Sequence, residues 1–311
     1  CEGGQLMFKL ERIANTPVLE PCREYPWERG AVFNTAVVHE DGCFHLLYRA
    51  SDRGFEALRD TYPKAEKKFC SVIGLATSCD GIHFERRPEP VFVGSGDQEA
   101  WGVEDPRVTK IGDTYYMIYT GFGGRGWKDH RISLASSKNL VDWERHGVIL
   151  DEVNKDGGLL ADKINGKYVL YHRREPHIWA AFSDDLMNWR DHKIVMTTQP
   201  NGWESKKIGI AGVPILIEQG YLMIYHAVDD RHVYRLGAAL LDRRDPTKVI
   251  ARLPEPILEP ELVWEREGNV PNVVFSCGHV LHDGYLYVYY GAADTVIGAA
   301  RVALDEISFP I

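Results

Sequence analysis

The chain has 311 residues, 44% of them hydrophobic and 26% charged, a globular composition long enough for one large all-β domain or two smaller ones. A net charge of -9 without any lysine- and arginine-rich block excludes a duplex nucleic-acid binder, which must neutralise many phosphates. No run approaches the roughly 20 apolar residues of a membrane span, and no basic segment followed by an apolar run opens the sequence, so no membrane or nucleic-acid partner is expected and the expected compartment is the cytoplasm.

The first unit starts at the turn Asp41-Gly42 and runs FHLLYRA through Tyr48; a long insertion, Asp52 to Cys70, precedes a small-residue strand, IGLATSCDGIHF, from Ile73 to Phe84. The second unit has WGVEDPRV, the turn Gly112-Asp113, YYMIYTGF through Tyr119, a glycine-rich loop from Gly121 to His130 holding Trp127, and ISLASSKNLVDW from Ile132 to Trp143. The third carries NKDG at Lys155, the turn Asn165-Gly166, YVLYHRR through Tyr171, and IWAAFSDDLMNW from Ile178 to Trp189. The fourth has the Lys206-Lys207 pair, Gln219-Gly220, YLMIYHAV through Tyr225, a loop from Asp229 to Arg235, and LGAALLD. The fifth has VPNVVFSCG, Asp283-Gly284, YLYVYYGAAD around Tyr289, and IGAARVALD.

Each tyrosine-ended run follows a tight-turn signal, the pattern of a hairpin entering a strand. The tyrosines are 71, 52, 54 and 64 residues apart, and Ser78, Ser137 and Ser183 occupy equivalent places. Five units of at least two strands, with room for outer strands, predict a five-bladed β-propeller occupying residues 1–311 as a single catalytic domain; a β-sandwich is the alternative. Phe84, Trp143 and Trp189 recur at the ends of the small-residue strands and are read as packing between blades. CEGGQL before Met7 fits either an appended leader or a processed amino terminus. Cys1, Cys22, Cys43, Cys70, Cys79 and Cys277 lack paired or metal-ligand spacing and are expected as reduced thiols; no metal is expected.

Chemistry is expected around WGVEDPRV. A proline disfavours helical backbone in the residue before it, so Asp105 is expected in extended form at a strand entry, with Arg107 on the same side two residues on. Such a buried carboxyl can be tuned for general-acid work; a turn aspartate paired with Arg107 is the plainer reading. Residues after the tyrosines, namely Arg49, Thr120, His172, Arg173, His226 and Tyr290 to Asp294, are placed to face a central funnel. With Lys155, Lys163 and Lys206-Lys207 they form a basic cluster inside an acidic protein, which suggests an anion site. Solvated surface is the alternative for each lysine, and a structural histidine for His172 and His226. Trp101, Trp127, Tyr62 and Tyr234 are candidate stacking platforms for sugars. The motifs of serine hydrolases, P-loops, dinucleotide folds and zinc proteases are missing from the sequence.

WGVEDPRV, NKDGGLLADKINGKYVLYHRR, SKKIG and VPNVVFSCG, in this order over nearly the whole chain, resemble glycoside hydrolase family 130, the inverting β-mannoside phosphorylases and related mannosidases. The resemblance implies a five-bladed propeller that cleaves the non-reducing-end mannose of β-mannosides with inorganic phosphate as co-substrate and no cofactor, giving α-mannose 1-phosphate. It implies Asp105 as proton donor through a sugar hydroxyl, and Lys155, Arg173, Lys207 and His226 as the phosphate-binding cations. Asn34, Arg49, Asp52, Arg107, Asp156, His172, Asn272 and Asp294 are the sugar-binding candidates, and association into homo-oligomers is common in such a family. Two stretches depart from its usual pattern: Ala161-Asp162-Lys163-Ile164 where PEKI is usual, and Gly209 to Pro214 where GAGPP is usual.

Hydrolysis with inversion needs a second carboxylate, roughly 6.5–9.5 Å from the acid, to activate water. Phosphate arrives as an anionic nucleophile and needs cations in place of that base. The basic cluster favours phosphorolysis. A mannosidase using Glu104, Asp156 or Asp294 as base is the alternative, and a carbohydrate-binding propeller without catalysis is a third reading.

Overall fold

Turn residues set the strand lengths. Asp41-Gly42, Asn165-Gly166 and Asp283-Gly284 all take positive φ and close two-residue hairpins, the geometry that suits twisted antiparallel strands. The computed structural model describes residues 8–53, 70–124 and 128–309. Among these, the strands form five antiparallel sheets arranged as a five-bladed β-propeller.

Blade 1 contains β2 (Ala31–Glu40), β3 (Cys43–Ser51), β4 (Val72–Ser78) and β5 (Glu85–Arg86). Blade 2 contains β6 (Val103–Ile111), β7 (Thr114–Phe122), β8 (His130–Ser137) and β9 (Trp143–Val148). Blade 3 contains β10 (Lys155–Leu159), β11 (Tyr168–Arg174), β12 (His177–Ser183) and β13 (Arg190–Met196). In blade 4 the inner strand is broken into β14 (Lys207–Ile210) and β15 (Ile215–Ile217), followed by β16 (Gly220–Val228), β17 (Tyr234–Leu241) and β18 (Val249–Arg252). Blade 5 contains β19 (Val274–His282), β20 (Tyr285–Ala292) and β21 (Val296–Ala303), and its outer strand is β1 (Glu11–Arg12), which pairs with β21 and ties the amino-terminal segment to the last blade.

The core lies between blades. One apolar cluster joins blades 5 and 1 through Leu46, Tyr48, Tyr287 and Tyr289, and another joins blades 1 and 2 through Leu47, Leu75, Met117 and Tyr119. Ile118, Leu134, Leu159 and Leu170 join blades 2 and 3, and larger clusters fill the two remaining seams. Because each sheet packs both faces against neighbours, the middle strands are almost wholly buried.

The small-residue strands are shorter than expected. β4, β8 and β12 end at Ser78, Ser137 and Ser183, where each serine hydroxyl bonds the side chain two residues on (Asp80, Asn139, Asp185) and accepts backbone N–H groups, turning the chain. Phe84, Trp143 and Trp189 therefore stand at the entry to the outer strands, where they pack against the seams as predicted.

The fifth unit also has a corrected register. Tyr48, Tyr119 and Tyr225 donate to buried Glu28, Glu99 and Glu204, at 2.7, 2.6 and 2.8 Å; in blade 5 the equivalent donor is Tyr290, to Glu265 at 2.8 Å, and not Tyr289. An arginine on the outer strand completes each latch: Arg86, Arg145, Arg252 and Arg12 reach the same four glutamates. Trp27, Trp203 and Trp264 stack on Tyr48, Tyr225 and Tyr290. Blade 3 departs, its Tyr171 hydroxyl donating to the Pro246 carbonyl. No helix among the described residues is long and apolar enough to cross a membrane.

Candidate active site

Three inner strands carry a bulge at their entry, and each bulge holds a short polar side chain in left-handed backbone. Asn34 has φ 43° at the register shift of β2, Asp105 φ 51° at that of β6, and Asp156 φ 56° at that of β10. Asparagine and aspartate tolerate this conformation better than other side-chain-bearing residues, and bulges re-aim side chains. The extended backbone expected for Asp105 is thus corrected: Asp105 and Pro106 together oppose one residue of β7, and the extra residue is accommodated by positive φ. The three side chains share one cleft of about 330 Å3 with Arg49, His130, Lys155, Arg173, Glu175, Lys207, Tyr234, Phe275 and Asp294 among its lining.

One side of the cleft is a carboxyl cluster. Asp105 is 5% exposed, and its Oδ1 accepts from Asn34 Nδ2 at 2.9 Å and Arg49 at 3.2 Å. Burial pushes its proton affinity up, but Arg49, Lys155, the Asn34 hydrogen bond and Arg107 outweigh burial and hold it below the usual carboxylate range. Glu104 accepts from Arg49 at 2.8 Å and from Lys155 at 2.7 Å. Asp294 behaves oppositely. Burial, reinforced by Asp105 and Glu104 and only partly offset by Arg49 and Lys155, raises its pKa to about 7.

The other side is cationic. Arg173 donates to Asp156 at 2.6 Å and lies 3.2 Å from Glu175, which Lys207 reaches at 3.4 Å. Asp156 also accepts from His226 Nε2 at 3.0 Å, and Arg107 lies 3.5 Å from its other oxygen. Burial works against the Asp156 charge, yet Arg173 and His226 hold its pKa well below the usual range. Burial lowers the proton affinity of His226, so the ring is neutral and donates through Nε2. Gly209 makes this possible, since a Cβ there would lie 2.3 Å from Asp156 Oδ2 and 2.6 Å from His226 Nε2.

One cleft thus sets the Asp105 carboxyl group, held on a bulged strand, opposite the cations Arg173 and Lys207. The family described as beta-1,4-mannooligosaccharide phosphorylase matches residues 9–308. The chain belongs to glycoside hydrolase family 130. It is 57% identical over 304 residues to a 1,2-beta-oligomannan phosphorylase of Thermoanaerobacter sp. (strain X514), covering 97% of this chain and 100% of that protein. A beta-1,2-mannobiose phosphorylase of the same organism is 59% identical over 303 residues, with the same coverage. The structure of beta-1,2-mannobiose phosphorylase from Listeria innocua, in complex with beta-1,2-mannobiose, superposes with a TM-score of 0.86 at 30% identity over 96% of this chain and 98% of that one.

For this family 130 chain, eight of the residues singled out from sequence line the cleft together: Asn34, Arg49, Asp105, Lys155, Asp156, Arg173, Lys207 and Asp294. Five are placed elsewhere. Arg107 lies beneath the floor, donating to the carbonyls of Ala211 at 2.9 Å and Ile210 at 2.7 Å, so the loop that departs from the family's usual GAGPP anchors it through backbone atoms. His226 is fully buried behind Asp156 with its ring against Phe275 at 4.1 Å, and does not line the cleft as expected of a phosphate-binding cation. His172 is buried against Asn154 and His192, and burial lowers its pKa to about 3, leaving a neutral structural ring. Asp52 is half-exposed and paired with Arg53. Asn272 has φ 59° and its carbonyl accepts from the Tyr234 N–H, beside the cleft residue Val273.

Among the stacking candidates, Tyr234 lines the cleft, Trp101 packs against Phe122, and Tyr62 and Trp127 lie outside the described residues. Lys163 sits over the Tyr168 ring and Lys206 bonds His232, both outside the lining. Sequence reasoning missed His130, Glu175, Val270, Val273 and Phe275 as cleft residues. Glu175 follows YHRR directly and Phe275 sits inside VVFSCG, so proximity to the motifs was the available signal.

Proposed function

We propose that this chain is an inverting β-mannoside phosphorylase acting on β-1,2-linked mannosides, with Asp105 as the acid and Lys155, Arg173 and Lys207 as the phosphate-binding cations. The observation that carries the reading is the division of one cleft into a carboxyl side around Asp105 and a cation side around Arg173 and Lys207. The β-1,2 linkage rests on the named relatives at 57% and 59% identity, although the family's own description is of a β-1,4 activity. Asn34 Oδ1 is buried without a hydrogen-bond partner, which suits an acceptor for a sugar hydroxyl.

A general acid must carry its proton when the leaving oxygen departs. With a pKa raised to about 7, Asp294 exchanges its proton near neutral pH, and the Asp105 charge is one of the causes of that rise, so the two carboxyl groups are linked. Lys155 is one of the cations that depress Asp105. A phosphate dianion bound at Lys155 offsets that field and raises the proton affinity of Asp105. Nucleophile binding thereby loads the acid. The cations hold phosphate on the face opposite the leaving sugar, where orientation replaces base catalysis.

The test is incubation with β-1,2-mannobiose with and without phosphate, followed by phosphorus NMR. Phosphate-dependent α-mannose 1-phosphate is expected, and Asp105→Asn should lower kcat by about 10²- to 10⁴-fold. Mannose release independent of phosphate would defeat the proposal. In a water-using enzyme Asp156, held well below the usual range, would be a poor base, whereas Asp294 would be a suitable one. That reading therefore predicts loss of phosphate-free mannose release in Asp294→Asn.

A further inference from the structure

Each cation assigned to phosphate already faces a carboxylate. Lys155 bonds Glu104 at 2.7 Å, Arg173 bonds Asp156 at 2.6 Å, and Lys207 pairs with Glu175 at 3.4 Å, which also lies 3.2 Å from Arg173. Two of these carboxylates belong to the wall. The Glu104 and Asp156 side chains are 4% and 1% exposed, and further bonds from Arg49 and His226 hold them.

Glu175 differs in every respect. Its side chain is 61% exposed, and both contacts run through the same oxygen, Oε1, at distances longer than a tight charge-assisted hydrogen bond. It stands on the turn between β11 and β12, so its side chain can swing outward without disturbing a strand. The same turn is tied to the strand bearing Lys207, because the Pro176 carbonyl accepts from the Ile208 N–H at 3.0 Å. Arg173 Nε, meanwhile, is buried with no hydrogen-bond partner.

An oxygen bridging a guanidinium and an ammonium, next to an unused guanidinium N–H, occupies the position of an oxyanion. We propose that Glu175 is a built-in competitor for phosphate: its carboxylate holds the anion position in the free protein and leaves when phosphate enters, and so sets phosphate affinity. The proposal deepens the phosphorylase reading and rests on it. Two consequences follow from charge. Glu175 supports the charge of Lys207, whose proton affinity is lowered by burial and by Arg173 and partly restored by Glu175 and Asp156. It also selects against weakly held monoanions such as chloride or acetate, which must displace the same carboxylate with less charge of their own.

The test compares the full chain with Glu175→Gln, an exposed and nearly isosteric change, using β-1,2-mannobiose and inorganic phosphate. KM for phosphate, and the calorimetric Kd for phosphate alone, are expected to fall by about threefold to tenfold. KM for mannobiose should not follow, and inhibition by chloride and acetate should strengthen. An unchanged or higher phosphate KM and Kd, in a variant with the unaltered chain's melting temperature, overturns the proposal. Failure of the underlying reading shows separately, in the unaltered chain: no calorimetric phosphate binding and phosphate-independent sugar release would overturn both together.

Discussion

Within the cleft, neighbouring carboxyl groups are driven in opposite directions by their partners. Asp105 and Asp156 each accept from arginine and stay ionised, whereas Asp294, half-buried beside Asp105 and Glu104, keeps its proton to about 7. This has a measurable consequence for stability. The native state binds the Asp294 proton at pH values where the unfolded chain, with the ordinary value of 3.8, has lost it, so this contribution to stability is complete below about pH 4 and is lost as pH rises to about 7. Asp294→Asn should therefore melt at a higher temperature than the unaltered chain above pH 7, with the difference shrinking towards pH 4. Melting curves across that range check the sign.

At the scale of the element, the repeated latch explains how blades with different loops keep one shape. A glutamate buried in each of four seams accepts from a tyrosine of the second strand and an arginine of the outer strand. Where a tryptophan also stacks on the tyrosine, the third strand supplies a glycine: Gly74, Gly237 and Gly298 lie opposite Tyr48, Tyr225 and Tyr290. A Cβ at Gly237 would come 2.5 Å from both Tyr225 Cζ and Trp203 Cη2. Gly237→Ala should cost about 1–3 kcal/mol by overpacking, visible as a lower denaturation midpoint. The dipeptide Trp-Glu at positions 27, 203 and 264 announces three of these latches in the sequence, and it shows why Tyr290 rather than Tyr289 belongs to the repeat.

At the scale of the molecule, the fifth blade is completed from the opposite end of the chain. Arg12 of β1 donates to Glu265 through two nitrogens and also reaches Glu261 and the Glu259 carbonyl. Removing it leaves the fully buried Glu265 with Tyr290 and two backbone N–H groups. Arg12→Ala should lower stability by about 3 kcal/mol, the scale of breaking a buried ion pair, while the cleft residues stay in place. Equilibrium denaturation beside an activity assay separates the two effects.

The sequence by itself determined the number of blades, the hairpins and the motif positions, because turn residues and tyrosine-ended strands are local signals that repeat. Eight cleft residues were also legible, Arg49, Arg173 and Asp294 as polar residues following the tyrosine-ended runs, Lys155 and Lys207 as members of a basic cluster, and Asn34, Asp105 and Asp156 through the resemblance to the family. Only the tertiary structure decided the backbone of Asp105, the withdrawal of Arg107, His172 and His226 behind the lining, and the entry of Glu175 into it. Those outcomes depend on bulges and on contacts between blades: a one-residue insertion re-aims a side chain, and a carboxylate from another blade decides which cation faces the cleft. Neither effect leaves a periodic trace along the chain.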